Sequence, residues 1–321
     1  MSMSNPGEQV ANTVVAMGNK NREIARQNSS SEVSVAGWLQ EWQAFLRIRI
    51  LFSIIATMVT AAALAAESAG VDTAIAAKLV SLIAIIVGAV IFNQVLESES
   101  DRLMPRTSRR PVAAGRIRRS WATVLGAVLT LMGTLGLLVS GDVVLFVLGL
   151  AAWALYVIVY TPLKKKTSWQ TPIGAVVGAA PVILGAGLVN GYHVPQVWTL
   201  FMLILFWQFP HAMAIATLYQ DQFAQAGIRV APVADPSGRL MRVYTVAGLA
   251  GLQLCVIGSV IWGAINAAMA GLLTAGTIYL TFPTIAFLRS PDQFHSRQLL
   301  RHTLVYLFLL ILVFAVFRWF H

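Results

Sequence analysis

Long apolar runs alternate with short polar segments along almost the whole chain. Nine of these runs approach the roughly 20 residues that a helix needs to cross a bilayer. They lie at about 46–66, 75–98, 120–139, 142–161, 171–189, 197–219, 243–263, 266–287 and 299–319. The pattern predicts an all-α integral membrane protein with about nine transmembrane helices.

The N-terminal segment, residues 1–37, does not share this pattern. It is polar and has no apolar core after a basic start, so it does not resemble a cleaved signal peptide. Its composition predicts a disordered cytoplasmic tail. Residues 38–321 are then expected to form a single polytopic membrane domain.

The overall composition supports a membrane protein. Of the 321 residues, 57% are hydrophobic and 11% charged, with a mean hydropathy of +0.72, which excludes an ordinary soluble domain. The net charge of +10 does not indicate a nucleic-acid partner, because the basic residues lie in the short segments between apolar runs. The single cysteine, Cys255, excludes an intrachain disulfide.

Basic residues mark every second connection between the runs. The second–third, fourth–fifth, sixth–seventh and eighth–ninth connections are rich in arginine or lysine. The intervening ones hold Glu67, Asp72, Asp142 and His193, with Lys78 the main exception. The positive-inside rule therefore predicts that the N-terminus and the four basic connections are cytoplasmic and that the C-terminus is external.

A cluster of acids and arginines follows the second run. Asn93, Glu97 and Asp101 are four residues apart, so they share one face if the helix continues through them. The next arginines are Arg102, Arg106, Arg109 and Arg110. Mg²⁺ binds carboxylates together with phosphate oxygens, and guanidinium groups bind phosphates in pairs of hydrogen bonds. The segment indicates a magnesium–diphosphate site, or else a cytoplasmic loop whose acids balance its arginines.

Two further charged positions belong to the same predicted membrane face. Asp221 follows the sixth run and is either a further cation ligand or a helix-terminal acid facing water. Lys164, Lys165 and Lys166 follow the fourth run. This run of lysines is either a topology signal alone or also supplies a point charge to the diphosphate.

One histidine lies well inside an apolar run. His211 follows Trp207, Gln208 and Pro210 in the sixth run. An ionisable residue inside the membrane is a functional candidate, because an unpaired polar group there is costly. His211 could therefore ligate a haem iron, hydrogen-bond a haem propionate or accept a proton. The alternative is a neutral histidine that is hydrogen-bonded within the bundle.

Several motifs in order resemble one known family. These are Asn-x3-acid-x3-Asp, RTSRRP, YTPLKKKTSWQTPIGAVVGAAP, FWQFPHAMAIA and AGIRVAPV. Together they resemble the protohaem IX farnesyltransferases (haem O synthases), a branch of the UbiA superfamily of intramembrane prenyltransferases. The resemblance extends from about Arg47 to the ninth run.

The resemblance implies a nine-helix UbiA-type bundle in the bacterial cytoplasmic (inner) membrane, with a lipid-accessible cavity capped by cytoplasmic loops. It implies an Mg²⁺-dependent transfer of farnesyl from farnesyl diphosphate to a vinyl group of haem b, giving haem O for terminal oxidases. Farnesyl diphosphate, haem b and the lipid bilayer are the implied partners. Haem A synthase or factors of terminal oxidase assembly are further candidate partners.

The same resemblance assigns roles to individual residues. It implies metal ligands and catalytic groups at Asn93, Glu97, Asp101 and Asp221, with His211 as a further catalytic group. It implies diphosphate-binding residues at Arg49, Arg106, Arg110 and Lys164, and the position of Arg102 and Arg109 in the arginine cluster adds these two. His211 and Trp207 are expected to bind haem.

The chain departs from the family pattern in its second acidic motif. Family members usually have a Lys-acid-Asp-Tyr pattern, whereas this chain has Gln220, Asp221, Gln222 and Phe223. One carboxylate and the lysine are missing, which predicts a weaker second cation site. Glu97 replaces a usual aspartate but keeps the type of ligand.

Two other functions remain open at this stage. One is a prenyltransferase that acts on a quinone precursor or another aromatic acceptor, against which His211 and the YTPLKKKTSW segment argue. The other is a transporter that binds haem or lipid phosphates without turnover.

Overall fold

A computed structural model describes residues 35–66 and 72–317, and every regular element in these two ranges is a helix. The helices are α1 Val35–Leu46, α2 Ile48–Ala65, α3 Thr73–Arg102, α4 Arg119–Val139, α5 Val143–Ala154, α6 Gln170–Gly187, α7 Pro195–Leu218, α8 Gln220–Gln225, α9 Ala231–Ala234, α10 Arg239–Ile261, α11 Ala267–Arg289 and α12 Gln293–Phe317. Helix α5 continues as a π-helical segment, Leu155–Tyr160, and a turn, Thr161–Leu163.

Nine helices of the described ranges are long and apolar enough to cross a membrane. They are α2, α3, α4, α5 with its continuation to Leu163, α6, α7, α10, α11 and α12. The predicted all-α architecture with nine spans is therefore confirmed. Most of the predicted tail, residues 1–37, lies outside the described residues, although α1 already begins at Val35.

The second span is longer than its apolar run. The hydropathy pattern predicts a helix over 75–98, whereas α3 runs from Thr73 to Arg102. Helical hydrogen bonding does not stop where the side chains become polar, so the helix continues through Glu97 and Asp101. This extension carries both carboxylates on a rigid element.

Small residues let the membrane helices approach closely, and helix α6 is rich in glycine and alanine. A Cβ atom on Gly185 of α6 would overlap the backbone of Met58 in α2. Backbones packed this closely are typical of interfaces between membrane helices. The described residues from Phe45 onward form one compact unit.

The connections at one end of the bundle are joined to one another. The backbone N–H of Arg229 donates to the Lys164 carbonyl at 2.8 Å, which links the segment after the fifth-helix continuation to the segment after α8. The side chain of Gln220 donates to the Pro232 carbonyl at 3.2 Å. These bonds hold the loops over the end of α3 that carries the two carboxylates.

Candidate active site

The last turns of α3 bury three polar side chains on one face. Asn93 is 0% exposed, Glu97 9% and Asp101 1%. Buried polar groups must find partners, because leaving a charge unpaired away from water is costly. Each of the three side chains is met by a residue from another part of the chain.

Glu97 is held between two cations. The Lys164 ammonium nitrogen donates to Glu97 Oε1 at 2.6 Å, and Arg110 Nη1 lies 3.7 Å from Oε2. Burial tends to lower the pKa of Lys164, but the facing Glu97 carboxylate raises this pKa above its usual range. The ammonium therefore stays charged throughout the neutral pH range.

Asp101 uses only one of its two oxygens. Arg110 Nη1 donates to Oδ2 at 2.6 Å. The other oxygen, Oδ1, is buried and has no hydrogen-bond partner among the residues that the structure describes. A buried anionic oxygen without a partner is a suitable ligand for a hard cation such as Mg²⁺.

Asn93 connects three parts of the chain. Its Oδ1 accepts a hydrogen bond from Arg47 Nη1 at 3.2 Å, and its Nδ2 donates to Thr161 Oγ1 at 3.1 Å. Thr161 Oγ1 in turn donates to the Tyr156 carbonyl at 2.8 Å. Asn93 thus orients the start of α2 and the end of the π-helical segment around α3.

The π-helical segment brings aromatic rings to the cluster. Such segments are rare and are frequent at functional sites. The Tyr156 and Tyr160 rings stack with centroids 5.8 Å apart, and the Lys164 ammonium lies 4.5 Å from the Tyr160 centroid. The same ammonium that binds Glu97 is therefore also held by an aromatic face.

The predicted arginines fall into different environments. Arg110 lies in the cluster, while the guanidinium of Arg106 lies over the rings of Tyr219 at 4.9 Å and Phe223 at 5.9 Å. The Arg106 guanidinium is also close enough to the Asp101 and Glu97 carboxylates to attract them electrostatically. It joins the loop after α3 to the loop after α7.

The remaining predicted arginines lie at the edge. Arg102 donates Nε–H to the Ala113 carbonyl at 2.7 Å and so shapes the loop. Arg109 and Arg49 are exposed. Arg47, which was not among the predicted diphosphate-binding residues, lies beside Asn93, whereas the predicted Arg49 is exposed. Its only sequence signal was its place next to Arg49 at the start of the first span.

The structure does not gather Asp221 with the other acids. Asp221 is exposed in the first turn of α8, and the described residues contain no group of three His, Cys, Asp or Glu side chains suited to a metal ion. Neighbouring positions on a helix point about 100° apart. Oε1 of the adjacent Gln222 is buried and has no hydrogen-bond partner in the part of the chain that the structure describes, so the neutral residue faces inward and the acid faces outward.

His211 lies in a second polar constellation, formed by α7 and α12. Its ring stacks on Trp207 with centroids 4.6 Å apart, and Trp207 Nε1 donates to the Thr303 carbonyl at 2.7 Å. His211 Nδ1 is 3.0 Å from Thr303 Oγ1, which itself lies 2.8 Å from the Leu300 carbonyl. The single hydroxyl hydrogen of Thr303 goes to Leu300, so Nδ1–H donates to Thr303.

This arrangement selects one tautomer of His211. With the proton on Nδ1, Nε2 carries a lone pair and can bind a metal or accept a proton. His211 precedes Tyr219 by eight residues on the same helix, which is roughly 12 Å along the axis. The histidine therefore lies deeper in the bundle than the carboxylate–cation cluster.

A membrane bundle with a buried carboxylate–cation cluster at one end is the arrangement of an intramembrane prenyltransferase. The sequence profile of the UbiA prenyltransferase family matches residues 53–312. The chain belongs to this family.

Two curated relatives of the chain belong to one branch of this family. The chain is 35% identical over 230 residues to the protohaem IX farnesyltransferase of Rhodopirellula baltica, covering 69% of this chain and 80% of that protein. It is 35% identical over 217 residues to the protohaem IX farnesyltransferase of Sorangium cellulosum, covering 67% of this chain and 74% of that protein. The branch indicated by the sequence motifs and the branch of these relatives agree.

Solved structures share the fold at low sequence identity. A digeranylgeranylglyceryl phosphate synthase structure superposes with a TM-score of 0.66 at 15% identity, over 87% of this chain and 97% of that one. A UbiA homologue from Archaeoglobus fulgidus bound to GPP and Mg²⁺ gives a TM-score of 0.59 at 15% identity, over 83% of this chain and 99% of that one. These likenesses support the bundle architecture.

Proposed function

We propose that the chain transfers the farnesyl group of farnesyl diphosphate to a vinyl group of protohaem IX, giving haem O. The observation that carries this proposal is the cluster at the end of α3, where Arg47, Arg110 and Lys164 surround two carboxylates. A diphosphate is the ligand that such a cation-rich cluster suits best. The choice of haem as acceptor is supported by the curated relatives and by His211.

The residues of the cluster bind and orient the leaving group. Arg110 and Lys164 would contact the diphosphate oxygens and stabilise the charge that develops as the farnesyl C1–O bond breaks. Asp101 Oδ1, and Glu97 to a lesser degree, are the groups that would hold Mg²⁺, whose charge would neutralise the departing diphosphate. The apolar bundle below keeps water from the allylic carbon at this step.

The acceptor binds deeper in the bundle. His211 Nε2 would hold the haem, and Trp207 would offer a flat aromatic surface beside it. The bond between farnesyl C1 and the outer vinyl carbon forms as diphosphate leaves with the bonding electrons. Water then adds its oxygen to the inner vinyl carbon and releases a proton. No side chain has to act as a nucleophile.

We also propose that the protein lies in the bacterial inner membrane with its N-terminus in the cytoplasm. The basic connections support this orientation. Both the diphosphate and Mg²⁺ would then enter from the cytoplasm.

The test is a reaction with purified protein, farnesyl diphosphate, haem b and Mg²⁺. We expect diphosphate release that depends on haem, and a product whose mass equals haem plus a farnesyl and a hydroxyl group. Release that depends on a quinone precursor instead would identify the other acceptor class. Binding of both substrates with no release would indicate a transporter.

A further inference from the structure

The charges of the diphosphate cluster do not match a site for two metal ions. Its carboxylates are Glu97 and Asp101, and its cations are Arg47, Arg106, Arg110 and Lys164. We propose that this site binds prenyl diphosphate with a single divalent cation, and that cationic side chains take the place of a second one. This inference rests on the proposed function, because it concerns the same diphosphate.

The position for one cation is defined by Asp101. Its Oδ2 is occupied by Arg110 at 2.6 Å, while the buried Oδ1 has no partner within the described ranges. Mg²⁺ is commonly held by one or two carboxylates and completes its shell with water and substrate phosphate oxygens. One free anionic oxygen next to a diphosphate is therefore sufficient.

Glu97 does not offer a comparable position. The Lys164 ammonium is 2.6 Å from Oε1, and Arg110 is 3.7 Å from Oε2. A second cation at Glu97 would have to displace the ammonium or share the carboxylate with it. Repulsion between like charges at such distances opposes this binding.

In α8, which follows the Arg106-binding residue Tyr219, no acid faces inward either. In α8 the acid, Asp221, is exposed, and the inward position is the neutral Gln222. Next to Gln222, the ring of Phe223 and that of Tyr219 hold the Arg106 guanidinium. A guanidinium thus lies at the edge of the loop where a second cation would need a carboxylate.

The charge balance also opposes a second cation. Four cations and two carboxylates leave the cluster with a formal charge of +2. A prenyl diphosphate brings on the order of two to three negative charges, since each phosphate group contributes one to two. Without a metal ion the summed charge would be about 0 to −1. One divalent cation brings it to about +1 to +2, whereas a second would raise it to about +3 to +4 in a largely buried site.

The experiment counts bound Mn²⁺ directly. Purified protein is saturated with a non-cleavable thiolo analogue of farnesyl diphosphate, and free Mn²⁺ is followed by electron paramagnetic resonance. We expect one Mn²⁺ per chain in the parent. Gln222→Asp should bind two, while the matched control Gln225→Asp, the same change on an exposed position of α8, should bind one.

Two results would overturn the inference. The first is two Mn²⁺ in the parent, and the second is a single Mn²⁺ in Gln222→Asp. Retention of radiolabelled analogue is measured in the same titration. If no analogue is retained at any Mn²⁺ concentration, the proposed function itself fails. If the analogue is retained together with two Mn²⁺ ions, only the single-cation inference fails.

Discussion

Three consecutive lysines differ sharply in what surrounds them. Lys164 is partly buried, bonds Glu97 and lies over Tyr160, whereas Lys165 and Lys166 are exposed. The first lysine belongs to the cluster, and the other two fit the topology signal. The three lysines therefore do not share one role, because only Lys164 contacts the carboxylate–cation cluster.

Replacing Lys164 should therefore affect the reaction far more than replacing its neighbour. We expect Lys164→Met to lower kcat/KM for farnesyl diphosphate by roughly a hundredfold, because it removes a preorganised cation from the diphosphate site. Lys165→Met should stay within about twofold. The assay is the initial rate of diphosphate release, and equal losses in both variants would contradict the assignment.

Loss of folding has to be separated from loss of catalysis in that comparison. Lys164→Met leaves buried Glu97 with Arg110, at 3.7 Å, as its nearest ion-pair partner, and breaking a buried pair can destabilise by about 3–5 kcal/mol. The double variant Lys164→Met with Glu97→Gln should regain thermal stability in detergent. It should not regain activity, because the cation is still missing.

The tautomer of His211 depends on one hydroxyl group. We expect Thr303→Val to weaken haem binding by about 10–100-fold, because partners of a ligating histidine usually have effects of this size. Thr303→Ser keeps the hydroxyl and should bind haem like the parent. The measurement is a titration of the haem Soret band. Equal affinity of Thr303→Val and the parent would show that this bond does not orient His211.

At the scale of elements, the π-helical segment after α5 positions side chains of the carboxylate–cation cluster. Wider turns rotate the residues that follow, so Thr161 meets Asn93 and Lys164 meets Glu97. The neighbouring α6 leaves room for this segment, because a Cβ atom on Gly174 would lie 2.6 Å from the Tyr160 ring. The π-helical segment and α6 therefore position the Lys164 ammonium together.

Gly174→Ala tests this relation. The added methyl group would push the Tyr160 ring, which can move at little cost to stability, and the Lys164 ammonium would lose its aromatic contact. Because displacements near 1 Å can cost up to about a hundredfold, we expect activity to fall by roughly tenfold. Gly258→Ala is the matched control, since a Cβ there meets no atom within 4 Å. Equal activity of the two variants would exclude this role of α6.

At the scale of the whole molecule, contacts join the connections at each end of the bundle. Three of the four basic connections meet through Arg110, Lys164, Arg106 and Arg229. Elsewhere the Lys78 ammonium binds Asp142 at 2.8 Å, which neutralises the one basic residue that departed from the charge alternation. The exception thus has a structural explanation.

Reporter fusions test the proposed orientation. Fusions after Arg110, Lys166 or Gly238 should score as cytoplasmic, because these positions lie in basic connections. Fusions after Gly141 or Gly191 should score as external. Reversed signals at any two of these positions would refute the orientation.

The sequence by itself determined the number of spans, the helical class and the family. The number of spans follows from the length of the apolar runs compared with the thickness of a bilayer. The helical class follows because backbone groups inside lipid must form their own hydrogen bonds, and the family follows from the order of the motifs. All three are read from local stretches of the chain. The four-residue spacing of Asn93, Glu97 and Asp101 likewise predicted one helical face, and the structure has them on one. Local periodicity suffices for such features.

Only the tertiary structure decided which side chains meet. It placed Arg47 beside Asn93 and left Arg49 exposed, turned Gln222 inward and Asp221 outward, and set Thr303 against a histidine 92 residues away. Each of these outcomes depends on the rotation and packing of helices that are distant in sequence. Charge and spacing along the chain do not encode that rotation, so residue types could be assigned to a site while their partners could not.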